Sequence, residues 1–172
     1  GERMEAFDFG AGPVPAHRHV NGGGWVADSA TVDEAAYVGE GALVYGRARV
    51  FGGARVFGGA RVYGGARVSA GAQVYGDARV YGDARLCGGA RLCGGAHGLS
   101  PLQIVIGIYC ATTCAPGEIA IGCQRHASVV WLERGVEIAR ENGATDDEIA
   151  IGLAVLPILA SFADSIPSTP ED

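Results

Sequence analysis

Between Val26 and Leu92 an aliphatic residue returns at every sixth position: Val26, Val32, Val38, Val44, Val50, Val56, Val62, Val68, Val74, Val80, Leu86 and Leu92. An alanine follows each of them four residues later, from Ala30 to Ala96. Within a unit such as A-R-V-Y-G-D the side chains alternate as in a short strand. Alanine and the aliphatic residue then point inward, and the two residues flanking the aliphatic one point outward. The Gly-rich pair that follows turns the corner, where positive φ is cheap for glycine. A fixed period this short predicts a solenoid, and its six-residue form predicts a parallel β-helix.

The pattern divides the chain into three parts. Residues 1–24 form a Pro- and Gly-rich lead-in ending in Gly22-Gly23-Gly24, residues 25–97 carry the repeat, and residues 98–172 lose the period after Leu99-Ser100-Pro101. An open coil exposes its core and unpaired backbone, so the two flanking parts are expected to cap the ends. The last part reads as a small α+β subdomain. Gln103 to Cys110 and Glu118 to Cys123 are strand-like runs separated by the turn signal Ala115-Pro116-Gly117. A helix is expected from Ser128 as N-cap to Asn142-Gly143. A second should open on the capping box of Thr145 and Glu148, with Pro157 kinking or ending it. Apolar residues run nearly all round this second helix, which predicts burial against the solenoid or a partner subunit.

The repeat unit resembles the hexapeptide-repeat family, whose left-handed parallel β-helix is a triangular prism with three hexads per coil. The resemblance implies a mainly β fold of about four coils, about 19 Å tall at a strand spacing of roughly 4.8 Å. The strings AHRHVNGGGWVADSATV and IGCQRH are similar to a group of such proteins in phages and bacteria. The family resemblance implies a homotrimer holding ligands between neighbouring prisms. For a phage member it implies sequestration of a host signalling nucleotide.

Composition adds a charge asymmetry. The chain has 172 residues and net charge −6, yet residues 47–97 hold eight of the thirteen basic residues and only Asp77 and Asp83 among the acids. All thirteen are arginine, whose planar fork suits carboxylate and phosphate. An acidic chain disfavours long nucleic acid, which demands many phosphate contacts. A small anion remains compatible. Ile149 to Ala163 is uncharged but falls short of the roughly 20 residues a spanning helix needs, so no membrane partner is expected. The opening residues GERMEAFDFG show no secretory pattern, and five cysteines, an odd number, favour reduced thiols, so a cytoplasmic location is expected.

A stride of eighteen stacks residues on one face. Face one carries Tyr45, Tyr63 and Tyr81 with Arg61 and Arg79; face two carries Arg49, Arg67 and Arg85 beside Phe51, Ser69 and Cys87. Face three carries Arg55, Gln73 and Arg91 beside Phe57, Tyr75 and Cys93. Two readings of these ladders stay open. Arginines can lie over rings and the aromatics can pack on a partner subunit, giving a structural or assembly module. Alternatively, rings stack on a base while guanidinium groups hold phosphate, giving a nucleotide-like ligand site on face one. Arg125 and His126, with Trp131 one helical turn on, either join that ligand site or form a hydrogen-bonded cluster.

Catalysis is not the leading expectation, and a diverged hexapeptide acyltransferase stays as an alternative. Acyltransferases that resemble this repeat place a histidine near a loop leaving the prism, and γ-type carbonic anhydrases place three histidines around zinc. Here the repeat holds no histidine before His97 and no interrupting loop, while His17 and His19 precede it. No cofactor is called for. Cys110, Cys114, Cys123 and His126 have a spacing that structural zinc could use, against the alternative of plain buried thiols. Cys123 with His126 is a weaker candidate for a nucleophile pair, since nothing identifies a residue to orient the histidine.

Overall fold

The computed structural model describes residues 5–97, 101–107 and 109–168, so Leu99 and Ser100 of the expected junction lie outside the described residues. The repeat winds into a β-solenoid of about four turns with three walls of parallel two- or three-residue strands. Wall one stacks β3 (Trp25–Ala27), β6 (Leu43–Val44), β9 (Arg61–Val62), β12 (Arg79–Val80) and β15 (Ala96–His97). Wall two stacks β4 (Thr31–Val32), β7 (Arg49–Val50), β10 (Arg67–Val68) and β13 (Arg85–Leu86). Wall three stacks β5 (Tyr37–Val38), β8 (Arg55–Val56), β11 (Gln73–Val74) and β14 (Arg91–Leu92). Backbone bonds join residues one coil apart, as in Arg61 N to Ala78 O and Tyr63 N to Val80 O, both 2.9 Å. Val26 and the alanine and aliphatic positions from Ala36 to Leu92 make one continuous buried core, with Ala30 and Val32 partly buried against it.

The lead-in caps one end. Hairpin strands β1 (Ala6–Asp8) and β2 (Pro13–Arg18) pair antiparallel, and β2 pairs antiparallel with β3, extending wall one. The triple glycine lies against the first coil: a Cβ on Gly24 would stand 2.3 Å from Gly39 O, and one on Gly22 the same distance from Val38 O. Side chains cannot pass there. His19 is buried over this end with its ring nitrogen 2.9 Å from Ala36 O.

At the other end the period slips. Arg79 pairs with Ala96 and Val80 with His97, so the last step on wall one is one residue shorter than the stride of eighteen below it. His97 therefore takes the position of a valine, buried, with Nε2 2.8 Å from Gly94 O. Desolvation holds its pKa below the ordinary histidine value.

The C-terminal part is a four-stranded antiparallel meander, β16 (Gln103–Ile106), β17 (Tyr109–Ala115), β18 (Glu118–Ile121) and β19 (Gln124–Ala127), followed by α1 (Ser128–Glu141) and α2 (Asp146–Asp164). The expected strand Gln103 to Cys110 is instead broken at Gly107 (φ +59°) into β16 and the start of β17, and Glu118 to Cys123 supplies β18 and the turn into β19, which was not expected. Adjacent β18 residues face opposite ways: Ile119 packs with Trp131, Ile138, Leu156 and Leu159 of the helices, and Ala120 packs with Cys93 and Cys114. The sheet docks on the last coil through Cys93 N to Cys114 O, 3.0 Å.

Three helix expectations are tested by the structure. The capping box of Thr145 and Glu148 forms. Ser128 is not the N-cap but the first helical residue, because its hydroxyl donates to Asp164 at the end of α2 instead (2.7 Å). Pro157 stands inside α2 and does not end it. An interior proline costs about 3 kcal/mol, and burial of Leu156, Leu159, Ala160 and Ala163 around it offsets that cost. Ile151 and Ile158 on the outer side of α2 stay 50 and 60% exposed, while Leu153, 50% exposed, lies on the side toward α1. Among the described residues no helix is long and apolar enough to cross a membrane.

Candidate functional site

Wall one carries a stack of rings built from two parts of the chain. Tyr45 lies 4.8 Å from Tyr63 at an interplanar angle of 4°, and Tyr63 lies 5.4 Å from Tyr81 at 13°. The hairpin extends the stack: Phe9 sits on Tyr45 at 4.9 Å, Phe7 meets Phe9 edge-on at 4.8 Å, and Phe7 stacks on Trp25 at 4.8 Å. Arg18 closes the head, 4.4 Å above the Trp25 ring. Strand spacing sets the ring separation, since residues in register on adjacent strands stand about 4.8 Å apart. Burial in the stack, with Tyr45 alongside, raises the Tyr63 phenol above its ordinary pKa. The three tyrosines of face one do come together, as the stride of eighteen expects. Inner rings already have both faces covered, so the ladder offers edges and hydroxyls to a visitor. A groove of about 400 Å³ does open beside its head, lined by Phe9, Val14, Ala27 and Tyr45.

The arginines form columns. Arg61 registers with Arg79 on wall one, and Arg49 with Arg67 and Arg85 on wall two; on wall three Gln73 separates Arg55 from Arg91. Arg55 lies over Tyr37 and Phe57 at 5.3 and 5.5 Å, and Arg49 over Phe51 at 5.8 Å. Arg61, Arg67, Arg79 and Arg91 make no ion pair among the described residues. Like charges directly opposite each other on neighbouring strands are destabilising.

The repeat profile described as YdcK Beta solenoid repeat matches residues 72–88. No curated protein and no solved structure matches the chain. The chain is a repeat β-solenoid protein. The matched segment runs through β11, β12 and β13 of the solenoid and bears on architecture alone.

Arg125, His126 and Trp131 lie apart from the ladder, on β19 and α1 of the C-terminal part. Trp131 is buried, its indole donating to Ile119 O at 2.8 Å, and it borders an apolar cavity of about 70 Å³ between the helices and the sheet. His126 meets Trp131 edge-on at 5.3 Å and reaches Gln124 at 3.2 Å. Arg125 is ion-paired with Glu118. The expected trio is therefore split: His126 and Trp131 share the helix side of the sheet, while Arg125 is on the opposite side, toward Cys93 and Cys114.

The sulfur arrangement differs from the expected zinc set of Cys110, Cys114, Cys123 and His126. All five cysteines are free thiols. Cys110 Sγ takes a hydrogen bond from Gln103 at 3.2 Å, and Cys123 is exposed at the turn before β19. The strands carry them away from Cys114. What meets Cys114 is Cys93, from the last hexad, together with Glu118: one ligand atom from each lies within 4.8 Å of the others. Sequence spacing missed this because Cys93 belongs to the repeat, where it reads as one more outward ladder residue. The Cys93 thiol donates to Cys114 O at 3.5 Å, and the closeness of the two sulfurs lowers the Cys93 pKa and raises that of Cys114. The charge of Arg125 favours the Cys93 thiolate, and Tyr75 packs against the pair.

Proposed function

We propose that this β-solenoid is a non-catalytic, homotrimeric binding protein that holds a small anionic, nucleotide-like ligand in the grooves between subunits. The observation that carries the reading is the register pair Arg61 and Arg79 on wall one, which make no ion pair among the described residues. Two guanidinium charges one strand spacing apart repel by about 0.9 kcal/mol even in bulk water. A phosphate bridging them turns that repulsion into paired, charge-assisted hydrogen bonds. The ring edges and hydroxyls of Tyr45, Tyr63 and Tyr81 flank Arg61 and Arg79 on the same wall, and the groove at Phe9 and Tyr45 has room for a base. The exposed apolar side of α2 supports self-association. In a phage, such a protein would act in the host cytoplasm by sequestering a signalling nucleotide.

Calorimetry and thermal shift against nucleotides, cyclic nucleotides and ADP-ribose derivatives test the reading, with native mass spectrometry for the oligomer. Binding should weaken with salt and fall at least about tenfold in Arg61→Ala/Arg79→Ala, the equivalent of one charged hydrogen bond. No binding to any of these ligands removes the proposal. The self-filled ring stack favours one second reading, an assembly module without ligand. In that case Arg61→Ala and Tyr63→Ala weaken oligomerisation and nothing else.

A further inference from the structure

The junction between the last coil and the C-terminal sheet holds a donor set independent of the ladders. From it we infer that Cys93, Cys114 and Glu118 form a binding site for a thiophilic divalent cation such as zinc. Three separate elements deliver the donors: Cys93 follows β14, Cys114 lies in β17 and Glu118 opens β18. The backbone holds the two cysteines together, Cys93 N bonding to Cys114 O. Tetrahedral zinc with bonds of about 2.3 Å to sulfur separates two ligand sulfurs by about 3.8 Å, and the donors here lie within 4.8 Å of one another. A small contraction completes the geometry.

Charge decides between a metal and a plain thiol pair. Two thiolates and a carboxylate around a divalent cation sum to −1, and Arg125, paired with Glu118 through Oε2, brings the cluster to neutrality. The other carboxylate oxygen remains for the cation. Tyr75 packs against the pair, the kind of outer contact that holds a metal ligand in place. A disulfide would use neither the carboxylate nor the guanidinium. Binding expels the thiol protons into solvent, so affinity rises with pH. The cation would clamp the C-terminal sheet to the open end of the solenoid.

The test is titration of reduced, metal-free full-length protein with Co(II), then Zn(II). One Co(II) per chain is expected, with thiolate-to-cobalt absorption in the near ultraviolet, tetrahedral d–d bands and displacement by Zn(II). Cys93→Ser and Cys114→Ser should each abolish the bands, and the double variant Cys110→Ser/Cys123→Ser should keep them. Glu118→Gln should lose at least about tenfold in affinity, the loss caused even by removing an outer partner. Circular dichroism checks folding, and Glu118→Gln at its partly exposed position decides the matter if a serine variant does not fold. Absence of the bands in the folded wild type, or their survival in both serine variants, overturns the proposal. So does a Cys93–Cys114 disulfide as the resting state of the protein purified without reductant.

Discussion

At one corner of the solenoid an alanine sits where the same turn elsewhere uses glycine. Ala70 has φ +51°, the one non-glycine with positive φ among the described residues, and it stands one coil from Gly52 (φ +60°) and Gly88 (φ +58°). An L-residue in this conformation costs roughly 1–2 kcal/mol. Replacing it by glycine removes that strain but loosens the unfolded chain, which costs about 0.4–1 kcal/mol. Ala70 is exposed, so no buried methyl is lost. Ala70→Gly is therefore expected to stabilise by about 0.8 kcal/mol, which for a chain this size raises Tm by about 2–3 °C. The same chemical change at Ala66, buried and with ordinary φ, should have the opposite sign. There the unfolded-state loss of about 0.4–1 kcal/mol adds to roughly 0.8 kcal/mol for a buried methyl. Paired urea melts of the two variants read the difference, about 2–3 kcal/mol on these figures. If Ala70→Gly is as destabilising as Ala66→Gly, corner strain is not what glycine relieves in this repeat, and the reasoning fails.

Other expected outcomes concern the ends of the molecule. Thr145→Ala removes the hydroxyl that accepts from Glu148 N, while the backbone arm from residue 145 N to the Glu148 carboxylate survives, and it should cost about 1 kcal/mol in chemical denaturation; an unchanged midpoint would show that α2 is held without that cap. His97 gives a pH dependence whose sign follows from its burial. Its folded pKa lies below the ordinary 6.5, so the unfolded chain takes up the proton first on acidification. The stability is full above that ordinary value and falls as pH drops through it, with a slope of at most about 1.4 kcal/mol per pH unit until the folded state also protonates. His97→Leu should remove that component of the slope, measured as the wild-type-minus-variant difference between pH 7.5 and 5.5. A difference independent of pH would mean that His97 is not desolvated.

The period of six determined the solenoid by itself. Alternation sends Val62 and Ala60 inward and Arg61 and Tyr63 outward whatever their neighbours do, and the stride of eighteen then stacks Tyr45, Tyr63 and Tyr81. The capping box of Thr145 was legible for the same reason, since its bonds close within three residues. Local rules carried no information about contacts made between distant segments. They could not place Phe7 and Phe9 on the head of the tyrosine stack, nor show that the rings cover each other's faces. The shortened last step that seats His97 in a valine's position depends on how β15 docks on β12. Ser128 answers to Asp164, 36 residues away, rather than to its own helix. Pro157 stays helical because α2 is packed against the sheet around it. The meeting of Cys93 with Cys114 and Glu118 is the clearest case. A thiol in the repeat and a thiol in the meander become partners only when the sheet closes the open coil, and closing that coil is a demand of tertiary packing.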